Sequence, residues 1–190
     1  MRASLAETPS APSHGPLTRV LTVCIAVILT IGLCSVPAHA DYYSGGVGSP
    51  RFSVRYTGVN DTYVNRFNTS RGNWNRTTNT NVSITRSTSS SVNRTMTAAR
   101  YNDSWYGLYT PSGTRNNRRF VIRVNARTLA RDSGSNMTAW ILSTTVHELG
   151  HALSLADNPR TSSLSIMKHN RNRTRTTPYA YDVSEVRRIY

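Results

Sequence analysis

Cysteine is nearly missing from this 190-residue chain: there are two, Cys24 and Cys34, both within the first forty residues. Lysine occurs once, at Lys168. Acidic side chains number 9 against 23 basic ones, a formal net charge of +14. Long apolar runs are also absent beyond Val20 to Val36. Each shortage excludes something. Residues 41–190 cannot be stapled by disulfides and must be held by their core. A chain of that size can bury roughly 70% of its unfolded surface, so a core suffices. No further segment has the length and apolarity to span a bilayer.

What is present at the start has a definite pattern. Arg2 and Arg19 precede the apolar run, Pro37 follows it, and Ala38-His39-Ala40 puts small residues at −3 and −1. This describes a secretory signal peptide over residues 1–40, cleaved after Ala40. The lead-in before Val20 is longer than usual, which leaves an uncleaved membrane anchor as the alternative. Cleavage predicts a secreted, extracellular protein with no membrane attachment. It would remove both cysteines, Arg2, Arg19 and Glu7, leaving 21 basic and 8 acidic residues. Nearly all the positive charge is arginine, which stays ionised and forks onto carboxylates and phosphates. Acidic proteins and anionic cell-envelope polymers are therefore candidate partners, against the alternative of a plain solvated surface. No reading helix or aromatic–basic strand motif is recognisable, so no specific nucleic-acid partner is expected.

Residues 41–50 read as a flexible leader and 51–190 as a single domain. Phe52, Val54 and Tyr56 alternate as in a half-buried strand. Tyr63, Phe67 and Trp74 recur at near-helical spacing. Val82 and Ile84 suggest a second strand, 86–95 a loop, and 96–101 a weaker strand. Trp105 to Tyr109 is an aromatic stretch closed by Pro111-Ser112-Gly113. Phe120-Val121-Ile122-Arg123-Val124 predicts a strand, 131–136 a polar turn and 137–155 a long helix. Asp182 and Glu185 have capping-box spacing, with Val183, Val186 and Ile189 as the stripe of a last short helix. The order is that of a mixed α/β (α+β) fold.

The long helix carries His147-Glu148-Leu149-Gly150-His151. Histidines four residues apart project from one face, one turn apart, so two imidazoles can reach one zinc ion. Glu148 is rotated aside, where it can take a proton from a metal-bound water without ligating the metal. Asp157 stands six residues after His151, and Met167 sixteen after it, in Ser165-Ile166-Met167.

With these residues in this order, the sequence resembles the metzincin zinc endopeptidases, in particular secreted bacterial enzymes of the matrixin-like and snapalysin-like kind. The resemblance implies a zincin fold with a twisted mixed sheet, an active-site helix and a Met-containing turn. It implies one catalytic Zn2+ held by His147, His151 and Asp157, Glu148 as general base, Met167 beneath the metal, and protein or peptide substrates. The family has glycine where this chain has Ser154, at the point where the helix must stop and turn back. Either Ser154 takes a positive φ or the helix ends differently. Some relatives have a tyrosine two residues after the Met; His169 occupies that place, and it or Lys168 can donate to a developing oxyanion. By analogy, Phe120, Val121, Ile122, Arg123 and Val124 would form the strand that aligns an extended substrate. Arg171, Arg173 and Arg175 follow the turn; they either turn the pocket beyond the scissile bond toward acidic groups or sit in solvent, and solvent is the expectation. No acidic EF-hand-like loop is present, and structural calcium, common in relatives, is left open. The alternative function is a zinc-bearing, weakly active basic protein that binds anionic polymers or acidic proteins.

Overall fold

The computed structural model describes residues 41–169 and 173–190. The signal-peptide reading and Arg171 lie outside the described residues. Among those described, no helix is long and apolar enough to cross a membrane.

The described residues form five strands and four helices in the order β1 (Arg51–Tyr56), α1 (Asp61–Asn75), β2 (Ser83–Arg86), β3 (Arg94–Ala99), β4 (Gly107–Ser112), β5 (Arg119–Asn125), α2 (Ala126–Asp132), α3 (Met137–Ala152) and α4 (Ala180–Ile189). The expected α+β class is what the structure shows. The sheet order is β2-β1-β3-β5-β4. Its first four strands are parallel, and β4 joins the edge antiparallel to β5, pairing Gly107 with Val124 and Ser112 with Arg119. Pro111 is tolerated in β4 because an edge strand need not donate on both sides.

Helices α1 and α3 pack together and against one face of the sheet. That face presents Phe52, Val54, Ile84, Met96, Phe120, Ile122 and Val124, all buried. A cap sets the start of α1, and one buried bond locks it to α3. Asn60 caps α1 by accepting from the Tyr63 amide, and the buried Trp74 donates its indole N–H to the Val146 carbonyl at 2.9 Å. Because side chains alternate along a strand, the opposite face carries Arg51, Ser53, Arg55, Thr85, Thr95, Thr97, Thr110, Arg119 and Arg123, all exposed or half-exposed. None of the acidic residues among the described residues falls within a strand.

Several expectations are corrected. Residues 41–50 are not a flexible leader: Val47 is buried, and Tyr43 and Val47 donate to the carbonyls of Ser154 and Ala152 at 2.8 and 2.9 Å. The segment is rich in glycine and serine because it runs close against the end of α3. The turn expected at 131–136 is preceded by α2, which begins directly from β5 where Asn125 caps it by accepting from the Arg127 amide. The end of the aromatic stretch, Gly107 to Tyr109, opens β4, and α3 stops at Ala152 instead of 155.

Candidate metal centre and substrate cleft

Helix α3 is buried along most of its length, so the face bearing His147 and His151 is fixed by packing rather than by solvent exposure. The two rings meet edge to face, with centroids 5.0 Å apart. Each His Nδ1 lies against a carbonyl: His147 on Ile166 O and His151 on Leu155 O, both at 2.9 Å. A carbonyl only accepts, so both Nδ1 atoms carry the proton and both Nε2 lone pairs face inward.

The end of α3 creates the second of those carbonyls. Leu155 N donates to Gly150 O and Ser154 N to His151 O, the two bonds of a Schellman cap. Ser154 is the left-handed residue of that cap, with φ of 66°, so the first of the two alternatives for it holds. Its buried Oγ accepts from Arg115 at 2.6 Å and sits 3.2 Å from the Tyr190 hydroxyl. These bonds offset a left-handed conformation that costs about 1–2 kcal/mol without glycine. Ser154→Gly should relieve that strain yet leave the Arg115 guanidinium without its acceptor, a loss of about 1.5–3 kcal/mol. The variant is therefore expected to be no more stable than the parent in chemical denaturation, and a gain in midpoint would contradict this balance.

The reversed chain delivers Asp157 to the histidines. Its Oδ1 lies 3.1 Å from His147 Nε2 and 3.5 Å from His151 Nε2. One ligand atom from each of the three residues falls within 4.8 Å of the others. Tetrahedral zinc with bonds of about 2.0–2.1 Å separates its ligand atoms by roughly 3.3 Å. Two inward lone pairs facing an anionic oxygen repel one another unless a cation sits among them, so the donor set fits a metal ion. Burial alone would push His151 down and the Asp157 carboxyl up. Their mutual contact outweighs it: His151 is raised, and Asp157 is held well below the usual carboxylate range by the two histidines.

Met167 is buried below this group. Gly150 makes room for it: a Cβ there would lie 2.4 Å from the Met167 sulfur. The turn is held by Asp182, whose carboxylate accepts from Ser165 Oγ at 2.6 Å, the Ile166 amide at 2.9 Å and the Tyr179 amide at 2.8 Å. Asp182 thus caps α4 from its third position and, through Ile166, fixes His147. The capping box read between Asp182 and Glu185 is corrected accordingly: the helix starts earlier, and Glu185 pairs with Arg188.

A cleft of about 710 Å³ opens over the group, lined by Tyr43, Trp105, Tyr106, Glu148, His169 and Arg173 among others. Glu148 is nearly buried and faces the start of β4, where Gly107 allows a close pass. A Cβ at Gly107 would fall 2.4 Å from Glu148 Oε1. His169 reaches the cleft, with Nε2 3.1 Å from Asp157 Oδ1. Lys168 does not: its ammonium donates to the carbonyls of Thr161 and Ser163, both at 2.7 Å, so the oxyanion role suggested for it is withdrawn.

The strand Phe120–Val124 is a second correction. It lies inside β5, between β3 and β4, with both backbone edges already paired. The free edge bordering the cleft belongs to β4, whose Gly107, Leu108 and Tyr109 line it. Of the two alternatives for Arg173, the favoured solvent position is corrected: it lines the cleft. Arg175 instead stacks over Tyr179 at 4.4 Å and donates to the carbonyls of Thr177 and Pro178. Tyr43 was not singled out by the sequence; its ring packs edge-on to His151, 5.4 Å between centroids.

No protein-family model matches the chain, and no curated protein sequence matches it significantly. Solved structures do share the fold. A structure described as the GM1-bound form of the ECX AB5 holotoxin aligns with TM-score 0.52 and 15% identity, over 80% of this chain and 86% of that one. A structure of myroilysin aligns with TM-score 0.53 and 13% identity, over 80% of this chain and 82% of that one. At such identities the likeness concerns the fold alone.

Proposed function

We propose that the protein is a secreted, zinc-dependent endopeptidase of metzincin type. The observation that carries this reading is the convergence of His147 Nε2, His151 Nε2 and Asp157 Oδ1, with both histidine tautomers fixed, beside Glu148 and at the floor of a cleft with a free strand edge. The fold shared with the metallopeptidase myroilysin supports it. Zinc held by the three residues would polarise a peptide carbonyl and lower the pKa of an attacking water. Glu148 takes that water's proton on a carboxylate oxygen as the new C–O bond forms. It then returns the proton to the amide nitrogen as the C–N bond breaks. The edge of β4 offers N–H and C=O groups to an extended peptide, which sets its direction across Glu148. His169 stands where an imidazole N–H can donate to the oxyanion. Hydrolysis of casein by the purified protein, abolished by a chelator and restored by zinc, is the expected result. Absence of cleavage with metal bound would refute the reading.

One observation favours a second reading. The open face of the sheet carries Arg51, Arg55, Arg119 and Arg123 among serines and threonines, with no acid in any strand. Such a face suits an anionic cell-envelope polymer. Replacing these four arginines by serine should lower the salt concentration at which the protein elutes from an immobilised polyanion. Unchanged elution would leave the face without that role.

A further inference from the structure

The hydrolytic chemistry makes no use of Arg173. Its guanidinium lies over the Tyr106 ring, 5.3 Å from the centroid, within the cleft that holds Glu148. Its Nε is buried with no hydrogen-bond partner. Glu148 and Asp157 act on it through space, and neither forms an ion pair with it among the described residues. Arg55, Arg66 and Arg94 also leave Nε unpaired, but none of these lines the cleft. Other arginines show the usual outcome: Arg115 and Arg118 donate to oxygens of the chain. A cation withdrawn from water with an open N–H is costly unless something binds it. The group that matches its planar fork is a carboxylate.

We infer that Arg173 anchors a carboxylate of the peptide substrate, so that the cleft selects chains bearing an acidic side chain, or a free C-terminus, beside the scissile bond. The inference rests on the peptidase reading and names its substrate class. Glu148 and Asp157 bring two negative charges to the cleft floor, which the bound metal would offset; Arg173 adds the positive charge that a substrate carboxylate requires. Tyr106 holds the guanidinium in place before binding, which reduces the ordering required. Trp105 and Leu108 give apolar walls to the methylenes of a glutamate.

The test uses matched peptides with Glu or Gln on either side of the cleaved bond, each with a free or an amidated C-terminus. Metal-loaded Glu148→Gln protein supplies a binding measurement by fluorescence anisotropy, independent of turnover. A charge-assisted fork predicts that Glu is preferred over Gln by about tenfold to hundredfold in kcat/KM and in binding. Arg173→Gln should bring that ratio to about one, and Arg173→Lys should recover part of it. Arg175→Gln, outside the cleft, should leave the ratio alone. Preference that follows the free terminus instead of the side chain identifies the terminal carboxylate as the source. Equal cleavage and equal binding of all peptides by the parent would overturn the inference while leaving the peptidase reading intact. Absence of Glu148-dependent cleavage would refute the peptidase reading, and the binding arm would still decide the carboxylate preference.

Discussion

Glu148→Gln is expected to lower peptide hydrolysis by about 10²–10⁴-fold while leaving the bound metal in place. The side chain is nearly buried and makes no hydrogen bond to the chain among the described residues. Its carboxylate is therefore available to an external donor, which is what a general base requires. Glutamine matches its shape, and the close pass of Gly107 over Oε1 leaves little freedom to relax. His147, His151 and Asp157 keep their geometry, so zinc stoichiometry measured by atomic absorption should equal that of the parent. Hydrolysis retained in the variant would remove Glu148 from the reaction. Zinc lost together with hydrolysis would make its role structural.

Asp182→Asn is expected to have the largest effect on stability, although Asp182 touches neither metal ligands nor cleft. Its carboxylate satisfies Ser165, Ile166 and Tyr179 at once and is 1% exposed. An asparagine offers one oxygen and turns an NH2 group toward buried donors. With hydrogen bonds to a charged group worth about 1.5–3 kcal/mol each and unmet buried donors costing about 1–3 kcal/mol, a loss of roughly 3–5 kcal/mol follows. For a domain of this size that lowers Tm by about 10 °C. Zinc affinity should fall by about 10–100-fold, because Ile166 would no longer hold His147. Burial raises the Asp182 carboxyl above its ordinary value, and its three donors only partly oppose this. The folded state thus binds this proton more tightly than the unfolded chain. The associated stability is full below the unfolded pKa and is lost as pH rises through the folded one. The deficit of Asp182→Asn should therefore be widest in acid and narrow as pH climbs, as thermal melts across the acid range would show.

The histidine pair was legible because it rests on helical periodicity, a local property of five residues. The strands of the sheet were legible for the same reason, through alternation at Phe52–Tyr56 and Phe120–Val124. Pairing was not. Which strand lies inside the sheet depends on the partners of β5, and no pattern within Phe120–Val124 separates a central from an edge strand. Asp157 required knowing that the helix stops, and Ser154 hides that stop by filling a position glycine usually takes. Asp182 was seen as a capping residue, but its hold on Ile166 comes from a contact across 16 residues. Arg173 shares its two alternatives, pocket or solvent, with Arg171 and Arg175, and nothing in the sequence separates the three. Its place in the cleft follows from the Met-containing turn and from Tyr106, far upstream. Residues 41–50 have the composition of a linker, and only their seat against α3 shows otherwise.

That seat has a consequence for the order of assembly. Tyr43 and Val47 pair with Ser154 and Ala152 at the end of α3, and Tyr190 donates to the Val47 carbonyl across 143 positions. Asp41 likewise accepts from the Tyr181 hydroxyl across 140. Closing such loops is entropically late, because the long-range contacts reward it only once most of the domain has formed. The ends of the described domain therefore act as a clasp around the His147–His151–Asp157 group. A chain still being synthesised, with α4 not yet docked, lacks the clasp, and the setting of that group is completed last.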